Sequence, residues 1–388
     1  MRNAKHVYAL VSAHSCYMPC QMNPCCRVCY VSIFRSRFVH MGFGTLAPQA
    51  PLGRGVRDGT VDIAEYVDQS WPRVPIAIPS KGRERTLCEQ TLQMLRSYEY
   101  DLSKVHVFVD ATHVREDGVN EYDAYFKHLR DHGFGAVNVH PGGVGLMKQY
   151  DRIFAFFDGE PEVILTSDMV PRIEWRRRRH NVTLEDLPKG RLAPVIRVGF
   201  DLCRIYGSRA WSLSSCKAGL NLQAGHVSRK CGLLCGNFCG VRLDVGPPPR
   251  MTMCDFTTDV EFSLRCWAQD GAMIRFLGIA AAHKYRSPGG HEIDNPNVTE
   301  RHIRTCRALQ TLAGKFPHLV KYTGDEKRPS KAMNYRFLQR GPKKIMFKGT
   351  FTTSGRKPVN GWRHVNGAER QRQHRKRKKA IRPTKRSK

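Results

Sequence analysis

The chain has 388 residues, enough for one large domain or two with tails. Hydrophobic residues make up 41% and charged residues 25%, a mixture that excludes a wholly disordered or fibrous chain. No run approaches the 18 or so apolar residues that a membrane-spanning helix needs. The net charge is +30, from 64 Lys and Arg against 34 Asp and Glu. It is unevenly spread: residues 327–388 hold 22 Lys and Arg and one acid, Glu369, so this segment carries +21 and the first 326 residues only +9. A polyanion is the expected partner of such a tail.

Residues 1–73 show no sustained periodicity and are expected to form a poorly ordered, cysteine-containing segment. Cys16-x3-Cys20 and Cys26-x2-Cys29, with His14 nearby, resemble zinc-ligand pairs, but the gap between the pairs is too short for a finger or ribbon. Fourteen cysteines in a chain of this length do not make a small disulfide scaffold, and a reduced intracellular setting is expected. Arg2 and Lys5 before the apolar run Val7–Val11 mimic a secretory leader, but the run is short and soon interrupted, and secretion is not expected.

From Val74 the pattern sharpens. Val74–Pro79 reads as a buried strand ending in Ser80-Lys81-Gly82, and Leu87, Thr91, Leu92 and Leu95 recur at helical spacing. Val105–Val109 is a second strand, closing on Asp110, and Tyr122, Tyr125, Phe126 and Leu129 fall on one helical face. Ala136–Val139 is a third strand, followed by Gly142-Gly143-Val144-Gly145 and a helix carrying Leu146, Tyr150, Ile153, Phe154 and Phe157. Val163–Leu165 is a fourth, ending at Thr166-Ser167-Asp168. This alternation predicts an α/β fold over 74–326, with a mostly parallel sheet flanked by helices and ligands outside the carboxyl ends of the strands. Residues 170–250 are harder to read: Trp175 opens an arginine-rich polar stretch, and 232–241 looks like glycine-rich strand. Periodicity returns in a helix with Val260, Phe262, Leu264 and Trp267, a strand at 273–276, and a helix with Ile303, Leu309, Leu312 and Phe316. Beyond Lys327 a solvated tail is expected.

The strand ends carry the informative residues. Gly142–Gly145 before a helix is a place where backbone N–H groups approach a phosphate, although a tight turn explains it equally and it matches neither the dinucleotide fingerprint nor the P-loop. Asp168, after a hydrophobic strand, suits a hard divalent cation that bridges phosphates, or simply caps a turn. Asp259 and Glu261 open an apolar-periodic helix, where carboxylates favour the helix terminus and where one of them can serve as a general base.

Four segments recur together in one order: Ile76–Arg83 with Thr86 and Thr91-Leu92; Gly143–Tyr150 leading to Ile164–Met169; Asp259–Arg265; and Tyr285–Gly290. In this the chain resembles the GT-A-fold glycosyltransferases of phages and their eukaryotic relatives, the TET-associated enzymes and the kinetoplastid enzyme that glucosylates a hydroxymethylated DNA base. The resemblance covers roughly residues 74–320 and implies a Rossmann-like GT-A fold, a nucleotide-sugar donor and a divalent cation, Mn²⁺ or Mg²⁺. It implies that Pro79, Ser80, Gly82 and Arg83 line the donor nucleotide, with Gly143 and Gly145 nearby and Asp110 reaching the base or ribose. It makes Asp168 the surviving acid of the Asp-x-Asp metal motif, with His283 and His291 as further metal or phosphate contacts. Asp259 becomes the base that deprotonates the acceptor hydroxyl, supported by Glu261, with inversion at the anomeric carbon. Related enzymes commonly carry two or three acids where this chain has Thr166-Ser167-Asp168, and an asparagine where it has Leu146.

The cluster Arg375-Lys376-Arg377-Lys378-Lys379 gives the tail the character of a salt-sensitive nucleic-acid arm or a nuclear-import signal. Coupled to a sugar-transfer domain, it favours DNA as the acceptor, in a nucleus or a virus-infected host cell. Two alternatives stand beside this reading: a catalytically silent domain that binds nucleic acid or belongs to a virion, and a transferase acting on protein or glycan.

Overall fold

The computed structural model describes residues 56–57, 60–62, 74–176, 184–214, 222–283, 289–290, 297–324, 335–338 and 345–348. The parallel centre of the fold is made by β3 (Ile76–Ser80), β4 (Val105–Val109), β5 (Asn138–Pro141) and β6 (Glu162–Thr166). Their side chains alternate between two apolar layers, as the two-residue period of a strand requires. Ile76, Ile78, Val105, Val107, Val109 and Ile164 face one layer, while Ala77, Phe108, Val163 and Leu165 face the other.

Helices cover both faces. On the first lie α1 (a continuous helix over 84–97 with a π-helical middle, Cys88–Leu92), α2 (Glu121–Asp131) and α4 (Leu192–Tyr206). On the second lie α3 (Leu146–Phe156) and α5 (Thr258–Asp270), and α6 (Val298–Lys315) packs beyond α5. Asn120 caps α2 by accepting from the Tyr122 N–H, with Glu121 and Asp123 in the first turn, where the helix dipole favours acids. Tyr125 and Leu129 are buried as the spacing predicts, but Phe126 is 53% exposed, so the apolar stripe of α2 is narrower than its sequence reads.

Beside β6 the sheet continues with mixed pairing through β11 (Phe238–Arg242), β9 (Ala210–Ser214), β12 (Ile274–Ala281) and β10 (His226–Ser228). The pairings β6–β11 and β11–β9 are antiparallel and β9–β12 is parallel. The strands β7 (Ile173–Arg176) and β8 (Leu184–Asp186) branch from β12. Trp175, read from sequence as the start of a polar stretch, is instead buried within β7. The glycine-rich segment becomes strand only from Phe238 onward; residues 232–237 form the connection leading into it.

The sheet also extends past both expected domain boundaries. Within the segment 1–73, expected to be poorly ordered, β1 (Val56–Arg57) pairs with β2 (Thr60–Asp62). Within the supposed tail, β15 (Ile345–Lys348) pairs with both β2 and β10. A separate ribbon joins β13 (Val320–Tyr322) to β14 (Tyr335–Phe337). The expectation of a folded unit confined to 74–326 is corrected accordingly. The cysteine pairs at 16–29 and the basic cluster at 375–379 lie outside the described residues.

Strand order positions the site. From β3 the chain steps outward to β4 and β5, then returns to the opposite side of β3 as β6. The order therefore reverses between β3 and β6, and a crevice at such a reversal is where an open α/β sheet accepts ligands. Their ladder runs only through Ile76–Ile164 and Ala77–Leu165. Pro79, which has no N–H to give, lies beyond the last β6 partner.

Candidate active site

A ring of polar groups occupies the carboxyl ends of β3 and β6. Asp168 is buried; its Oδ2 accepts from Ser80 Oγ at 2.6 Å, and its Oδ1 faces Arg83 Nη1 at 3.4 Å. Ser80 has one proton, given to the carboxylate, so the 2.7 Å contact with Tyr125 assigns the phenol as donor to Ser80 Oγ. The phenol oxygen in turn accepts from the Arg83 backbone N–H at 2.8 Å. The ring thus begins at the Arg83 backbone and closes through its guanidinium. Burial raises the Asp168 pKa, opposed by Arg83 and Ser80.

Neighbouring groups continue this pattern. Lys81 Nζ stands 3.0 Å from Asp110 Oδ2, while Asp110 Oδ1 accepts from the Thr112 N–H and hydroxyl. Burial works against the Asp110 charge, yet the Thr112 and Lys81 hydrogen bonds hold its pKa below the ordinary value. Asp110 thus follows the end of β4, with its carboxylate bracing Lys81. The Gly82 N–H donates to the carboxylate of Glu121, a fully buried residue in the first turn of α2. Burial pushes the Glu121 pKa up, against Gly82, His113, Arg115 and Lys81. Arg83 Nη2 donates to the Gly289 carbonyl at 2.8 Å, and the Gly290 N–H donates to the Lys81 carbonyl at 2.7 Å, so this glycine pair lies against the end of β3.

The second carboxylate lies along the same sheet edge. Because β11 runs antiparallel to β6, Asn237 meets the end of β6: its carbonyl accepts from the Thr166 hydroxyl at 2.7 Å and the Ser167 N–H at 3.3 Å. Next to it, the Gly236 N–H donates to Asp259 Oδ2 at 3.2 Å. Leu234 is tied to the same helix end, its N–H donating to Ser263 Oγ, which donates to the Asp259 carbonyl. Asp259 keeps some exposed surface, but it lines a slot with Tyr150, Phe154, Leu165, Leu234 and Phe262. Burial pushes its pKa up to about 6, with the Gly236 hydrogen bond acting the other way. Among the described residues no cation contributes to this shift. Backbone steps from Asp259 through Gly236 and Asn237 to Ser167 and Asp168 bring the two acids to one edge.

Glu261 does not join Asp259. Two residues apart on a helix, they face different ways. The Glu261 carboxylate instead accepts from the N–H groups of Thr252 and Met253, the Thr252 hydroxyl and Arg265, anchoring that loop to α5. Gly143 and Gly145 sit after β5, two strands away from β3. A Cβ at Gly143 would come within 2.6 Å of Lys148 Cβ and 2.7 Å of its backbone, and Gly145 has φ 80°, so the turn itself requires these glycines. His283 is buried past the end of β12, which runs parallel to β6 and ends on the same sheet edge. His291 lies outside the described residues.

Among the described residues no three His, Cys, Asp or Glu side chains gather as a metal set. Asp168, one carboxylate with Arg83 against it, fits a divalent cation only when a diphosphate supplies further oxygens. Sequence reasoning missed Tyr125 and Glu121 as site residues, because one reads as core and the other as a helix-start acid. It also missed Gly236 and Asn237, whose part depends on the antiparallel return of β11.

No protein-family model matches the chain, and no curated protein matches it. Among solved structures, the chain is similar to the mannosyltransferase PcManGT from Pyrobaculum calidifontis, in complex with GDP-Man and Mn²⁺: 12% identity, 70% of this chain and 73% of that one, TM-score 0.37. Glucosyl-3-phosphoglycerate synthase from Mycobacterium tuberculosis, with Mn²⁺, UDP and glucosyl-3-phosphoglycerate, shows 11% identity, 75% and 96% coverage, and TM-score 0.38. TarS 1-349 of S. aureus shows 9% identity, 68% and 69% coverage, and TM-score 0.34.

Proposed function

We propose that the protein is a GT-A-like glycosyltransferase that moves a sugar from a nucleotide donor to a hydroxyl, with a hydroxylated base in DNA as the acceptor. One observation carries the reading: two acids on one sheet edge, in opposite electrostatic settings. Asp168 lies against the Arg83 guanidinium, the setting a diphosphate needs. Asp259 lies in an apolar slot with a raised pKa of about 6, the setting a general base needs near neutral pH.

Ser80, Gly82 and Arg83 hold the donor at the end of β3, and Asp168 together with the diphosphate would hold a divalent cation. When bound, that cation offsets charge on the leaving diphosphate. Asp259 takes the proton of the acceptor hydroxyl while the oxygen bonds to the anomeric carbon. The bond from that carbon to the diphosphate oxygen breaks, and its electron pair leaves with the nucleoside diphosphate. A base on the side opposite the leaving group gives inversion. The basic cluster 375–379 supplies salt-dependent affinity for the acceptor strand, and the base is extruded to reach the slot.

The test is incubation of the full chain with nucleotide-sugars and Mn²⁺, with and without DNA containing 5-hydroxymethyl pyrimidines, followed by mass spectrometry of the digested nucleosides. A hexose-sized gain on the modified base is expected. Donor hydrolysis without DNA modification would move the acceptor to protein or glycan. Absence of both turnover and saturable donor binding would leave a silent nucleic-acid-binding domain.

A further inference from the structure

We infer that Arg83 is a built-in counter-cation for Asp168, which makes divalent-cation binding conditional on the donor's diphosphate. The inference rests on the donor-site reading above and concerns the order in which that site fills.

Asp168 is the single acid of the 166–168 segment, and its two oxygens face Ser80 and Arg83. Both members of the Arg83–Asp168 pair are largely buried, their side chains 12% and 4% exposed, so solvent screens their charges weakly. The guanidinium also has a shaped place to rest. Its Nη2 donates to the Gly289 carbonyl; a Cβ at Gly289 would come within 2.6 Å of Arg83 Cγ, and one at Gly290 within 2.8 Å of Nη1. Both glycines have positive φ, 95° and 65°, so a side chain at either would be strained as well as obstructive.

A divalent cation approaching Asp168 therefore meets a guanidinium already in place, and like charge opposes it. A diphosphate changes this balance. It offers the planar guanidinium paired oxygens, a better partner than one carboxylate oxygen at 3.4 Å. With Arg83 turned to phosphate, Asp168 is released to share the cation. Nucleotide and cation then bind with positive coupling, and by linkage each tightens the other equally. Lys81 has no such part, since Asp110 holds it at 3.0 Å.

The experiment is a Mn²⁺ titration of the full chain followed by electron paramagnetic resonance, with and without UDP or GDP, correcting for Mn²⁺ bound by nucleotide in solution. Nucleotide binding without metal is measured separately by calorimetry. In the native protein, nucleotide is expected to tighten Mn²⁺ by about tenfold or more. In Arg83→Gln, Mn²⁺ is expected to bind the nucleotide-free protein about tenfold more tightly and the coupling to shrink. Arg83→Lys keeps the charge but not the paired N–H fork, so it is expected to hold Mn²⁺ off the nucleotide-free protein while losing part of the coupling; thermal melts show whether each variant is folded. Equal Mn²⁺ affinity with and without bound nucleotide in the native protein would overturn the inference and leave the donor-site reading standing. Unchanged coupling in folded Arg83→Gln would overturn it too. Failure of native protein to bind any nucleotide would remove the donor-site reading, and the inference with it.

Discussion

Gly236 gives its backbone N–H to Asp259 Oδ2 at 3.2 Å, and a side chain at position 236 would claim space that Asp259 and Tyr150 already fill. A Cβ there would stand 2.8 Å from Asp259 Oδ1 and 2.9 Å from the Tyr150 hydroxyl. Gly236→Ala is expected to displace the carboxylate while leaving the donor side of the edge in place. Transfer or donor hydrolysis should fall by about a hundredfold in kcat with little change in donor KM, because small misplacements of reacting groups are costly. Steady-state kinetics beside a thermal melt checks this; unchanged kcat would remove Asp259 from the chemistry.

Asp259 must be ionised to accept a proton, and its pKa is raised to about 6. The rate should therefore be level above that pH and fall about tenfold per pH unit below it. Asp259→Asn is expected to lose about 10²–10⁴-fold in rate and the acid limb with it. A pH–rate profile of donor hydrolysis tests both statements.

Glu261→Ala should behave as a structural lesion. It leaves the Thr252 and Met253 N–H groups without their acceptor and Arg265 without its carboxylate, a loss of about 2–4 kcal/mol in stability. Denaturant unfolding measures the loss. Glu261→Gln should retain more stability and, if folded, near-native turnover, in contrast to Asp259→Asn.

His106 Nδ1 lies 2.9 Å from His140 Nε2, among Phe108, Phe156 and Phe157. Burial, then the neighbouring His140 and Lys104, lowers the His106 pKa from 6.5 to about 4. Between these values the unfolded chain binds the proton that the folded chain refuses, so stability should climb as pH rises from about 4 to 6.5 and level off above. His106→Gln should flatten this slope. Melting temperatures across that range test the prediction, and an unchanged slope would assign it to other groups.

The parallel centre was legible because its strands carry short apolar runs at regular spacing, and the ends of those runs marked Ser80, Arg83, Asp110 and Asp168. The second half was less so. Helix α4 was missed because Pro194 and Gly199 interrupt its pattern, yet Gly199 is where Trp211 lies against the helix: a Cβ there would be 2.4 Å from the indole. Tyr125 could be read as buried, but its hydroxyl contact with Ser80 joins residues 45 apart. The resemblance makes Glu261 a support for Asp259, while helix geometry turns the two apart.

The pairing of β15 with β2 and β10 has a consequence for trimming the chain. Cutting to residues 74–326, the limits that periodicity proposes, removes both β2 and β15 and leaves β10 with an open edge. Its unpaired N–H and C=O groups would then be a template for strands from another molecule. The shortened protein should self-associate as concentration rises, whereas a chain from Leu52 through Lys348 retains strands on that side.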